Sequence, residues 1–242
     1  MSFLSILLLG FVLGMRHATD ADHVVAVTTI VSRERSLRIA AFIGALWGLG
    51  HSITLFLVGG VLVVFRLTIP PHVGLGMEMV VAVMLIVLGA MNVTNTMQRL
   101  EKAVGVRKHT HHHGHSHDGS EPHVHRVKGA SGLQLVRALV VGIVHGLAGS
   151  AALALLVLTT IRDASSAIAY LVIFGVGTIF GMMFLTMAMA VPMALAANRF
   201  TQLDRTLARA TGLLSILFGG YLAYRIGIVD GLFSLHPRWS PE

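Results

Sequence analysis

Arg16-His17-Ala18-Thr19-Asp20-Ala21-Asp22-His23 interrupts a run of apolar residues that extends from Phe3 to Val31. Five of these eight side chains are ionisable. The run is long enough to cross a bilayer, and the cluster falls at its centre. An ionisable group at that depth is costly, so these side chains must line an interior, where such groups mark function. No basic stretch precedes the run, and its apolar character resumes after the polar centre. It therefore reads as a membrane span rather than a signal peptide.

The rest of the chain supports that setting. Of 242 residues, 55% are hydrophobic and 12% charged, against about 25% charged in ordinary soluble domains. Mean hydropathy is +0.78. This excludes a typical soluble enzyme. The predicted fold class is all-α, a polytopic membrane protein with six spans near Phe3–Val31, Ile39–Phe65, Leu75–Thr96, Leu135–Ile161, Ala167–Ala197 and Leu207–Val229. One membrane domain fills residues 1–242. Spans one to three occupy 1–96, and a His-, Gly- and Ser-rich connection occupies 97–134, where disorder is expected. Spans four to six occupy 135–229, and a tail follows from 230. The chain has no cysteine, which excludes disulfides, thiolate metal sites and cysteine nucleophiles. It also lacks a G-x-x-x-x-G-K-[ST] loop, so it does not hydrolyse ATP by that route.

The formal net charge of +7 reports orientation. Connections one–two, three–four and five–six hold thirteen Lys and Arg residues, and the opposite side holds four. Both termini should face outside, with the long connection in the cytoplasm.

Three matches at nearly one offset suggest a duplication. Gly14-Met-Arg-His17 aligns with Gly142-Ile-Val-His145, Gly48-Leu-Gly-His51 with Gly175-Val-Gly-Thr178, and Leu88-Gly-Ala90 with Phe218-Gly-Gly220. Three spans per unit would give the halves opposite orientations, the inverted repeat of secondary transporters, with a substrate site near the midplane. The plainer reading is a chance alignment of small residues at helix contacts.

The candidate metal ligands are His17, Asp20, Asp22 and His23 in span one, His51 in span two and His145 in span four. Imidazole and carboxylate together suit nickel, cobalt or zinc. On an ideal helix Arg16, His17, Asp20 and His23 share an arc of about 120°, with Asp22 well outside it. Binding of one ion by His17, Asp22 and His23 therefore requires an unwound or bulged helix. If the helix is regular, Asp22 supports rather than ligates. Arg16 is expected to reduce the local anionic charge or to pair with Asp20 or Asp22, and the plainer reading of both acids is a salt-bridge set with it. Ser52, Asn92, Ser150 and Thr178 are supporting candidates, with Asn92 reading best as an interhelical hydrogen-bonder. His109, His111, His112, His113, His115, His117, His123 and His125 in the long connection read as a cytoplasmic metal buffer or sensor, dispensable for translocation; a solvated linker is the plainer alternative.

Arg16-His17-Ala-x-Asp20-Ala-Asp22-His23 resembles the H-x4-D-H motif of the nickel/cobalt transporter family, and Gly50-His51-Ser52 resembles that family's second histidine motif. Gly142-x-x-His145-Gly-Leu-Ala-Gly-Ser150 resembles the shorter, urease-accessory-H-type permeases. The resemblance spans all six segments. It implies passage of Ni²⁺ or Co²⁺ and functional roles for His17, Asp22, His23 and His51. The expected activity is secondary transport of nickel, with cobalt as a second substrate, most simply uptake. The membrane potential favours inward movement by about 2.3 kcal/mol per charge per 100 mV. The histidine-rich connection is also similar to that of the efflux branch, so efflux is the alternative. A third reading is an intramembrane metal-dependent hydrolase. No catalytic cofactor is expected. Expected partners are the divalent ion, the lipid bilayer and a cytoplasmic nickel chaperone, with no nucleic acid.

Overall fold

The computed structural model describes residues 3–65, 69–96, 99–100, 132–147, 163–197, 203–234 and 237–239. All regular structure among them is helical. In chain order the helices are α1 (Phe3–His17), α2 (Ala21–Val31), α3 (Leu37–Phe65), α4 (Pro71–Val93), α5 (Gly132–His145), α6 (Ala164–Ala197) and α7 (Leu203–Tyr224), which ends in a π-turn at Arg225–Val229. Four segments are long and apolar enough to cross a bilayer: Leu37–Leu62, Pro71–Val93, Ser165–Pro192 and Thr206–Val229. With the bent pair α1–α2 there are five. The protein is thus a multi-pass, all-helical membrane protein. α5 is apolar but shorter; the remainder of the expected fourth span and most of the 97–134 connection lie outside the described residues.

The first expected span is not one helix. α1 and α2 meet at a break of three residues and are inclined by 56°. At the break the chain tightens: the Thr19 and Asp20 amides donate to the carbonyls of Arg16 and His17, at 2.8 and 3.1 Å. Asp20 then adopts extended backbone angles at the head of α2. Its side chain makes no capping bond to α2, because it is engaged by His17.

Small residues let the helices approach closely, as they do where lipid removes the hydrophobic drive for association. α3 runs antiparallel to α6: Gly48 meets Ile179 and Met182, Ser52 Oγ donates to the Gly175 carbonyl, and Leu55 clusters with Tyr170 and Leu171. The tightest glycine contacts come in exchanged pairs. A Cβ on Gly14 would lie 2.1 Å from the Phe174 carbonyl oxygen, and one on Gly142 would lie 2.1 Å from that of Trp47. Gly50 abuts the Leu139 carbonyl as Gly177 abuts that of Phe11. Gly89 abuts the Gly212 carbonyl as Gly219 abuts that of Ala82. α4 and α7 pair in this way, α1 rests on α6, and α5 rests on α3.

Asn92 ties α2, α4 and α7 together. Its side-chain amide donates towards the Ser32 hydroxyl and the Ala208 carbonyl, at 3.0 and 2.9 Å, and lies within 3.4 Å of the Thr29 carbonyl. The interhelical role expected from the sequence is the one observed. Next to it, Asn95 takes φ = 56° after α4 and accepts from Arg33 Nη2, fixing the end of α2 to that of α4. The large side chains left exposed include Phe56, Leu57, Val61, Phe184, Leu213 and Leu217, an apolar surface suited to lipid.

Candidate metal centre

The break places His17 on the last turn of α1 and Asp22 and His23 on the first turn of α2. α3 brings His51 to the same place, and α5 brings His145. His23, His51 and His145 are fully buried, and His17 is 6% exposed. Donor atoms of His17, His23 and His51 all lie within 4.8 Å of one another, and so do those of Asp22, His23 and His145. His23 belongs to both groups.

The carboxylates set the imidazole donors. Asp20 Oδ2 lies 2.8 Å from His17 Nδ1. Asp22 Oδ1 lies 3.0 Å from His23 Nδ1 and also accepts the His23 amide at 2.9 Å. An ionised carboxylate only accepts, so each of these Nδ1 atoms carries a proton, and in the neutral imidazole the lone pair is then on Nε2. The Nε2 of His17 lies 3.0 Å from that of His51. The Nε2 of His23 is buried and has no partner among the described residues. A buried nitrogen without a partner is costly unless something binds it. Carboxylate–imidazole pairs of this kind are the usual way ligating histidines are oriented and made more basic. Asp22 Oδ2 also reaches His145 Nε2 at 3.0 Å. Within this geometry the acids orient imidazoles, and Asp22 keeps the additional option of ligating directly.

Two aromatic rings flank the cluster. Trp47 stacks on His23 with centroids 5.7 Å apart and meets His145 edge-on at 5.6 Å. Phe174 lies 5.6 Å from His17. Both are 1% exposed. Neither was singled out in the sequence, where each is one apolar aromatic among many; the only cue is that each precedes an aligned position, His51 or Thr178, by one turn.

Other expectations resolve differently. Arg16 is exposed and makes no ion pair among the described residues, which corrects its expected pairing with Asp20 or Asp22. The reason is the bend: it turns both acids towards imidazoles and leaves Arg16 on the outside of the corner. Ser52 and Thr178 spend their hydroxyls on the carbonyls of Gly175 and Phe174. Asn92 belongs to the α2–α4–α7 junction rather than to the histidine cluster. Ser150 and the eight histidines of the long connection lie outside the described residues.

No protein-family model matches the chain, and no solved structure matches it. A curated protein does: the chain is 35% identical over 237 residues to the urease accessory protein UreH of a Bacillus species (strain TB-90), covering 97% of each sequence.

Proposed function

Because the chain belongs to the family of the urease accessory protein UreH, we propose that it is a secondary permease rather than an enzyme, moving divalent nickel, with cobalt as a second substrate, into the cell. The observation that carries the reading is the break in the first span. It gathers His17, Asp22 and His23 with His51 and His145 deep in an apolar bundle. A divalent ion entering hydrocarbon meets a very large desolvation cost, which fixed imidazole and carboxylate groups offset.

We assign the ion to His17, His23 and His51, with Asp22 and His145 adjacent and Asp20 as a support. The reading includes six spans, with the fourth continuing from α5, arranged as an inverted three-plus-three repeat. Its support is the exchanged packing: Gly14 on Phe174 and Gly142 on Trp47 interchange when the halves are swapped, and so do the Gly50–Leu139 and Phe11–Gly177 contacts. Such a repeat rocks about a central site to give alternating access. Following the excess of basic residues, the termini face outside. The histidine-rich connection is then cytoplasmic, placed to buffer the incoming metal and pass it to a chaperone.

Purified protein in liposomes tests the reading. Nickel should accumulate inside when an inside-negative potential is imposed, and His17→Ala should abolish that flux in correctly inserted protein. Metal flux that appears only outward, against the potential and with a proton gradient, would replace uptake with efflux. Deleting residues 110–125 should leave flux intact while lowering the metal bound per chain.

A further inference from the structure

The two aromatic rings beside the histidines are related in a way that the metal site does not explain. The antiparallel register of α3 and α6 fixes their heights. Ser52 is level with Gly175, and Gly48 is level with Ile179. Phe174 therefore stands about one residue beyond Ser52, whereas Trp47 stands one turn before His51. The two backbone positions are separated by about 9 Å along the helix axis, at ~1.5 Å per residue, with His51 at a height between them. Trp47 covers His23 and His145 on one side, and Phe174 covers His17 on the other.

Each ring is also held by the same device. The backbone at Trp47 is pressed against Gly142 of α5, and the Trp47 Cδ1 atom would lie 2.8 Å from a Cβ there. The backbone at Phe174 is pressed against Gly14 of α1. Each aromatic therefore sits on a seam between two helices, opposite a glycine that leaves no side chain in the way. Trp47 also packs in the apolar core with Ile43 and Met182, yet its indole Nε1 is buried and finds no partner among the described residues. A buried N–H of that kind is a liability in a purely structural tryptophan, and its cost is offset if the ring's placement serves a task.

Resting on the permease reading above, we propose that Trp47 and Phe174 are the two barriers of the transport path, each sealing the histidine cluster from one face of the membrane. The ion leaves towards the Leu37 end of α3 when Trp47 and Gly142 part, and towards the Phe65 end when Phe174 and Gly14 part. The structure described here has both seams closed, which makes it the occluded arrangement.

The chain contains no cysteine, so one introduced thiol reports on one position. Thr178 is fully buried at a height between the two rings. In a Thr178→Cys chain, labelling by a membrane-impermeant maleimide is measured in right-side-out and in inside-out vesicles, without added metal. Trp47→Ala should raise the labelling rate at least about tenfold from one face, because the rate follows the fraction of molecules open to that face. Phe174→Ala should do so from the opposite face. Trp47→Met and Phe174→Met keep an apolar side chain of similar reach. They should show the same sidedness with a smaller rise, and they serve if the alanine variants fail to insert. Labelling from the same face in both variants, or no rise in either, would overturn the assignment. Because labelling requires no metal, a chain that labels as expected but neither binds nor moves Ni²⁺ would refute the permease reading and leave the barriers standing.

Discussion

The Asp22 carboxylate reaches His145 Nε2 at 3.0 Å across 123 residues of chain while its other oxygen lies 3.0 Å from His23 Nδ1. One carboxylate thus orients two imidazoles from different helices. Asp20, 43% exposed at its side chain, orients one. Replacing Asp22 by Asn should therefore weaken Ni²⁺ binding more than Asp20→Asn does. Loss of a carboxylate that orients a ligating histidine typically costs about 10–100-fold in affinity. Asp20→Asn should fall near the lower end and Asp22→Asn at or beyond the upper. Calorimetric titration of detergent-solubilised protein measures both; equal losses would contradict the ranking.

His23 is the residue shared by the two donor groups. In a chain with residues 110–125 deleted, His23→Ala should abolish measurable Ni²⁺ binding, whereas His145→Ala leaves the His17–His23–His51 group complete and should retain reduced binding. Equilibrium dialysis with radioactive nickel separates these outcomes. Loss of binding in both variants would move the ion to the Asp22–His23–His145 group, and binding that survives His23→Ala would contradict both groups.

Much of this site was legible in the sequence, because ionisable residues inside an apolar run have few places to go. Five such groups between Arg16 and His23 demanded an interior, and simple helix geometry already required a break if His17, Asp22 and His23 were to act together. The direction of the bend was not legible. A regular helix puts Arg16 beside Asp20, and the expected ion pair follows from that. The actual corner sends Asp20 to His17 and leaves Arg16 outside, a choice made by the packing of α2 against α4, α6 and α7. The flanking aromatics escaped notice for a related reason: Trp47 and Phe174 acquire meaning only once the α3–α6 register sets their heights.

Close helix contacts make a stability prediction. Gly14→Ala and Gly142→Ala would each place a methyl 2.1 Å from a backbone carbonyl oxygen. The helices must separate to accept it, at about 1–3 kcal/mol for overpacking of this kind. Gly76→Ala in α4 has nothing within 4 Å of the new carbon and should be neutral or stabilising by about 0.5–1 kcal/mol through helix propensity. Thermal unfolding in detergent should lower the melting temperature for the first two variants and not for the third.

At the head of α6, Asp163 accepts from the Ser165 hydroxyl and from the Ser166 amide and hydroxyl. These bonds, that from the Ser165 hydroxyl foremost, hold its carboxyl down to about 2. The ionised form is thus favoured in the folded state. Its contribution to fixing the helix start is fully present above the ordinary aspartate value near ~4 and is lost as the pH falls towards 2. Hydrogen exchange of the amides at 165–167 should speed up in Asp163→Asn at neutral pH relative to the native chain, and that difference should vanish in acid. A difference that persists unchanged at the lowest pH would exclude the carboxylate as the cause.

The corner between α1 and α2 has an electrical consequence. A helix carries a partial negative charge at its C-terminal end and a partial positive charge at its N-terminal end. An unbroken span would hold both ends at the membrane surfaces. Here the negative pole of α1 ends at His17, beside the cluster. The positive pole of α2 begins at the same depth, where Asp22 in its first turn counters it. The peptide dipoles of α1 thus lend the centre of the bilayer an attraction for cations that no proton can titrate away. A neutral variant of Asp20 should still prefer cations to anions, since Asp22 goes on countering the pole of α2 and the polarity of α1 is written into the backbone.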